Sequence, residues 1–141
     1  MFTTKDKGDI TELACLLELK KHGANVSIPY GENVPYDIVA DINGRLYRIQ
    51  CKSSTYEEGA ITFSCKTVHY NTKTRSIESY TGKIDFFMTY YDSKCYLVPI
   101  EDCSNTSSKR LRIAESKNNQ KKNVSYAKDY ELQAIINKML V

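Results

Sequence analysis

The chain has little of what marks a specialised architecture. Three prolines and six glycines in 141 residues are too few for collagen or a Gly/Ser linker, and 41% hydrophobic with 26% charged residues is the balance of a folding chain, not a disordered one. No run approaches the ~18 consecutive apolar residues of a membrane span. Met1-Phe2-Thr3-Thr4-Lys5-Asp6-Lys7 leads into no long apolar region, which argues against secretion and against a membrane partner. A strong excess of one charge is missing too: 20 lysines and arginines against 17 acids leave +3, which permits nucleic-acid binding without requiring it. The five cysteines, Cys15, Cys51, Cys65, Cys95 and Cys103, are odd in number and never spaced C-x-x-C. They read as core thiols in a reducing, cytoplasmic setting. P-loop, dinucleotide fingerprint, nucleophile elbow and zinc-finger spacings are absent.

What is present reads as a single domain over residues 1–141. Ile10, Leu13, Ala14 and Leu17 recur at helical spacing within residues 6–22, and Lys20, Lys21 and Gly23 supply the end signals. Residues 26–28 are a short strand candidate, and residues 36–40 and 45–52 form two strands joined at Asn43-Gly44, a dipeptide suited to the positive φ of a tight turn. Further strands are expected at 61–68, 84–91 and 95–99, and a closing helix over 124–140. Residues 69–83 are expected to be a polar, basic, mobile loop. Residues 105–123 form a second basic stretch, in which Lys109, Arg110, Arg112, Lys117, Lys121 and Lys122 face a single acid, Glu115. The order of helix, short strands and helix predicts an α/β (α+β) fold, a central mixed β-sheet flanked by helices.

Three polar side chains, Asp37, Gln50 and Lys52, stand among apolar neighbours. Asp37 opens a strand behind Pro35-Tyr36, while Arg48, Gln50 and Lys52 share one face of the next strand, opposite Tyr47, Ile49 and Cys51. A tight turn brings Asp37 towards Gln50 and Lys52, so that a carboxylate, an amide oxygen and an ammonium converge. Such a group suits metal-assisted hydrolysis of a phosphodiester, in which the carboxylate anchors a divalent ion and the lysine orients water or stabilises developing charge. Glu12 supplies a second carboxylate if the first helix packs that edge towards the sheet. By spacing alone, the same residues also fit a solvent-exposed sheet face and a solvated helix position.

Pro35-Tyr36-Asp37, twelve residues, then Gln50-Cys51-Lys52 resembles the PD-(D/E)XK nuclease motif, in the form where glutamine replaces the second acid. Lys7-Gly8-Asp9-Ile10-Thr11-Glu12 resembles the opening of the first helix of that superfamily. The likeness is greatest to the small bacterial group I intron homing endonucleases, and it runs over residues 5–100, including 80–85 and 96–99. It implies a restriction-endonuclease-like core and a metal-dependent DNA endonuclease that leaves 5′-phosphate and 3′-hydroxyl ends. Its catalytic residues would be Glu12, Asp37, Gln50 and Lys52. Asp37, Glu12 and Gln50 would hold Mg²⁺, for which Mn²⁺ substitutes. Two positions depart from the family: Tyr36 stands in place of its proline, and Gln50 costs the metal site a carboxylate.

Contacts to double-stranded DNA are expected from Lys73, Arg75 and Lys83 in the first basic segment and from Lys109, Arg110 and Arg112 in the second. One small domain covers part of a duplex and a double-strand break needs two cuts, so a homodimer or homotetramer is expected. A site-specific homing endonuclease is the favoured function. The alternatives are a structure-selective nuclease resembling a Holliday junction resolvase, and a non-catalytic DNA-binding module on a nuclease fold.

Overall fold

A computed structural model describes residues 1–70, 75–103, 106–114 and 123–140, apart from the side chains of residues 67–70 and 75–78. Helix α1 (Thr4–Lys21) opens on a reciprocal cap: the Asp6 N–H donates to Thr3 Oγ1 at 3.2 Å and the Thr3 N–H donates to Asp6 Oδ2 at 2.7 Å. It stops where Gly23 takes a φ of 88°, and the N–H groups of Gly23 and Ala24 return to the Lys20 and Leu19 carbonyls at 3.1 and 3.0 Å. The buried face of α1 is Thr11, Cys15 and Leu19, whereas Ile10, Leu13 and Leu17 are 49%, 65% and 55% exposed. The apolar residues that reveal the helix in the sequence are therefore not the ones that meet the sheet. Small side chains at positions 11 and 15 let the helix lie close on the strands.

The strands follow as β1 (Asn25–Ser27), β2 (Ile38–Ile42), β3 (Arg45–Cys51), β4 (Thr55–Glu57), β5 (Ala60–Ser64), β6 (Lys66–Tyr70), β7 (Arg75–Ser79), β8 (Phe86–Tyr91), β9 (Lys94–Pro99) and β10 (Ser108–Arg112). Helix α2 (Leu132–Met139) closes the chain after 3-10 turns at Ile100–Cys103 and Ala127–Tyr130. Five strands form the central sheet in the order β1-β2-β3-β8-β9. It is mixed, because β3 pairs with β8 in parallel and the other neighbours pair antiparallel. Asn43 and Gly44 turn the β2–β3 hairpin with φ values of 59° and 85°, setting Ile38 opposite Ile49.

Strand alternation then sorts two cores. Ile38, Ile49, Met88 and Leu97 pack with Cys15 and Leu19 of α1 and with Leu132, Ile135 and Ile136 of α2. On the reverse face, Phe87, Tyr96 and Val98 pack with Ile61, Phe63 and Leu111 of a three-stranded sheet ordered β10-β5-β4. Four of the five cysteines are buried and Cys51 is half-buried. Among the described residues, no helix is long and apolar enough to cross a membrane.

Four expectations change. The strand expected at 61–68 divides at Cys65, whose N–H donates to the Ser107 carbonyl at 2.9 Å, so that β5 and β6 join different sheets. Within residues 69–83, β7 pairs with β6 as an antiparallel hairpin, Lys66 opposite Ser79 and Tyr70 opposite Arg75; the ladder satisfies backbone groups that no apolar alternation advertises. The basic stretch 105–123 contains β10, anchored by one fully buried residue, Leu111. Within residues 124–140 a 3-10 turn at Ala127–Tyr130 comes first and the α-helix starts only at Leu132, because Glu131 is extended (φ −55°, ψ 142°) and bridges to Tyr96.

Candidate active site

Asp37 sits one residue ahead of β2. Its N–H donates to the Ile49 carbonyl at 2.9 Å, and its Oδ2 accepts the Cys51 N–H at 3.0 Å, so a side-chain oxygen extends the hairpin ladder. Gln50 projects from the same face of β3. With its amide oriented by its hydrogen-bond partners, the nitrogen donates to Asp37 Oδ2 at 3.2 Å and to the Pro35 carbonyl at 2.6 Å. The amide oxygen is then the end left to accept or coordinate. Lys52 follows on that face; its N–H donates to the Met88 carbonyl at 2.9 Å, and its Nζ stands 4.9 Å from the centre of the Tyr80 ring.

Glu12 arrives on α1, which packs on the opposite face of the sheet. The helix is tied to the chain just beyond Lys52: Lys7 Nζ donates to the Ser54 carbonyl at 3.0 Å, and Thr11 Oγ1 shares a hydrogen bond with Ser53 Oγ at 3.1 Å. Partial burial, then the charges of Asp37 and Asp9, push the Glu12 carboxyl above its usual range. Burial raises Asp37 as well, against the opposing pull of the Cys51 N–H and the Lys52 ammonium. The two carboxyls are coupled, since the charge of Asp37 is one of the causes that raise Glu12.

Two carboxylates and an amide oxygen are hard donors of the kind that Mg²⁺ and Mn²⁺ take. Burial raises Glu12 first and the negative charge of Asp37 second, and that charge is of the kind a divalent cation would offset. Among the described residues, no group of three or more His, Cys, Asp or Glu is gathered for a metal.

Asp37 and Gln50 open into a cleft of about 760 Å³, bordered also by Pro35, Tyr80, Gly82 and Lys83. The turn that forms its far side is fixed by Asp85. The Asp85 carboxylate accepts the Arg48 N–H at 2.8 Å and the Arg48 Nε at 3.4 Å, while its own N–H donates to the Arg48 carbonyl at 2.9 Å. Two aspartates that each precede a strand, Asp37 and Asp85, thus hold N–H groups of β3 from either side.

The structure sets Asp37, Gln50 and Lys52 at one end of the β2–β3 hairpin, with Glu12 near enough for the Asp37 charge to act on it; exposed Lys83 is on the rim of the cleft, and Glu12 and Lys52 are not among the residues that border it. Arg110 is exposed on β10. Lys109 and Arg112 are engaged internally: Lys109 Nζ donates to Ser125 Oγ at 3.0 Å and the Asp102 carbonyl at 3.3 Å, and Arg112 donates to the Ala114 and Glu58 carbonyls at 2.9 and 3.1 Å. Lys73 lies outside the described residues, as do Lys117, Lys121 and Lys122; so does the side chain of Arg75. Tyr80, Asp85 and Thr11 fall in segments that resemble the family but had no role assigned from sequence, and Ser53 was not singled out. Thr11 carried a signal, since it stands four residues before Cys15 and eight before Leu19 on the buried helical face.

The family model described as PD-(D/E)XK endonuclease matches residues 2–133. Among solved structures, a bacterial homing endonuclease, I-Ssp6803I, is similar at 28% identity and a TM-score of 0.80, over 99% of this chain and 97% of that one. Curated proteins give no match. The family match runs from the cap of α1 through the Asp37–Gln50–Lys52 hairpin into α2, so fold and site fall within one span, and the chain belongs to the PD-(D/E)XK endonuclease family.

Proposed function

We propose that the chain is a Mg²⁺-dependent endonuclease that hydrolyses phosphodiester bonds of double-stranded DNA at a specific site. The observation that carries this reading is the convergence of Asp37, Gln50 and Lys52 at one end of the hairpin, with Glu12 within electrostatic reach. Likeness to a homing endonuclease over nearly the whole chain favours sequence-specific cutting.

Asp37, Glu12 and Gln50 would hold the ion, which when bound polarises the phosphate and acidifies a bound water. Lys52 offers N–H donors to the charge that builds on the phosphate oxygens in the transition state. Gln50 keeps Asp37 fixed through its amide nitrogen. Lys83, Arg75, Lys73 and Arg110 would meet the DNA backbone, whereas Lys109 and Arg112 brace the β10 sheet that presents Arg110. Cutting both strands calls for two copies of the site, hence a homodimer or homotetramer. The unpaired thiols suit a cytoplasmic protein.

One observation favours a second reading, a DNA-binding module that does not cut: an amide nitrogen, where the family has an acid, occupies Asp37 Oδ2. The deciding experiment is cleavage of a plasmid library and a synthetic four-way junction with Mg²⁺, with EDTA, and with Lys52→Ala. Metal-dependent cutting of the plasmids that the variant loses supports the proposal. Cutting confined to the junction would make the enzyme structure-selective, and tight binding without cutting would establish the binding module.

A further inference from the structure

We infer that Tyr80 is a positioning residue for Lys52, its ring face holding the ammonium in place and joining the root of the β6–β7 hairpin to the site. Tyr80 follows β7 directly and is only 7% exposed although it borders the cleft. Its ring meets Phe87 edge-on, with centroids 5.3 Å apart and planes at 83°, and Phe87 in turn packs on Phe63 at 5.6 Å. Phe87 is also the residue paired with Gln50 across the parallel β3–β8 ladder. The orientation of the Tyr80 ring is thus set by the core behind the site.

A lysine side chain free in solvent samples many rotamers, and ordering it costs conformational entropy. An aromatic face within about 6 Å of the ammonium attracts it through the ring quadrupole and favours a subset of those rotamers. At 4.9 Å, Lys52 Nζ lies inside that range. The contact biases the ammonium towards Tyr80, which borders the cleft together with Asp37, Gln50 and Lys83. The Lys83 N–H donates to the Tyr80 carbonyl at 2.9 Å, so one turn carries both the ring that holds the lysine and a basic residue on the rim. DNA drawn onto β6–β7 or Lys83 would therefore press on the element that aims Lys52.

The effect on cutting rests on the nuclease reading; the contact does not, and the test separates the two. In the full-length protein without metal or DNA, NMR should show the Lys52 Hε resonance shifted upfield by the ring, with a cross-relaxation peak to the Tyr80 ring protons. The shift should persist in Tyr80→Phe and vanish in Tyr80→Leu. With Mg²⁺ and DNA, Tyr80→Leu should lower kcat by about tenfold with little change in KM, and Tyr80→Phe should stay within about threefold of wild type, as expected for a ring-face contact. Absence of the cross-peak in the wild-type protein overturns the proposal even if Tyr80→Leu fails to fold. So does a kcat in Tyr80→Phe as low as in Tyr80→Leu, which would move the role to the hydroxyl. Wild-type protein that never cuts, but shows the cross-peak, would overturn the nuclease reading and leave the contact standing.

Discussion

Gln50 gives its amide nitrogen to Asp37 Oδ2 at 3.2 Å, and the same nitrogen reaches the Pro35 carbonyl at 2.6 Å. A neutral donor here satisfies two acceptors that an acid would repel. Gln50→Glu should therefore cost the metal-free protein about 1–3 kcal/mol of stability, the usual consequence of leaving partly buried acceptors unpaired. Saturating Mg²⁺ should recover much of that loss, since the added carboxylate becomes a ligand. Urea unfolding with EDTA and with Mg²⁺ measures both; equal loss in the two conditions would show that the ion does not reach position 50.

Glu12 and Asp37 hold their protons more tightly in the folded chain than in the unfolded one. The stability they contribute is complete below the ordinary carboxylate range, at about pH 4, and is lost as pH rises through their raised folded values. Glu12→Gln should make the metal-free stability curve shallower across that window, with no loss of stability at pH 7. It should also weaken Mg²⁺ binding by about tenfold or more. Unfolding curves at pH 4 and 7 and metal titration calorimetry give the two readouts, and an unchanged Mg²⁺ affinity would remove Glu12 from the site.

The salt dependence of binding tests the basic residues one by one. Lys83→Ala and Arg110→Ala should each reduce the slope of log K against log salt by about 1, the signature of one lost phosphate contact. Lys109→Ala should leave that slope alone and lower stability by about 1–2 kcal/mol, because its ammonium bonds Ser125 and the Asp102 carbonyl. Binding isotherms at several salt concentrations separate the two classes. A fall in slope for Lys109→Ala would put this lysine on the DNA.

Asp85→Ala should destabilise the fold by about 1–2 kcal/mol through the orphaned Arg48 N–H and loosen the turn beside the cleft. Asp85→Asn, which still offers an oxygen to that N–H, should recover most of the loss. Thermal unfolding of the pair of variants decides, and equal losses would mean that charge rather than the hydrogen bond matters.

Much of the site could be read from the chain because its geometry is local. Once Asn43-Gly44 fixes a tight turn, the period of two places Asp37 beside Gln50 and puts Lys52 on the same face. The parts that escaped depend on distant partners. Helix α1 was evident, but which of its faces is buried was decided by the sheet, which accepted the small Thr11 and Cys15 and left Ile10, Leu13 and Leu17 outside. Among the described residues the β6–β7 hairpin pairs only with itself, and it carries no apolar period to betray it. Lys109 looked like a surface cation because Ser125, sixteen residues on, is invisible to a local reading. The late start of α2 has a similar origin, in the bridge from Glu131 to Tyr96.

The oxygen of Asp37 that accepts the Cys51 N–H also closes the mouth of the hairpin. That dual use fixes the order in which such a site would decay. A descendant that gave up cutting could replace Lys52 or Glu12 at little structural cost, yet position 37 would remain an aspartate or asparagine to keep the strands together. On the nuclease reading, that acid would outlast its chemistry as architecture.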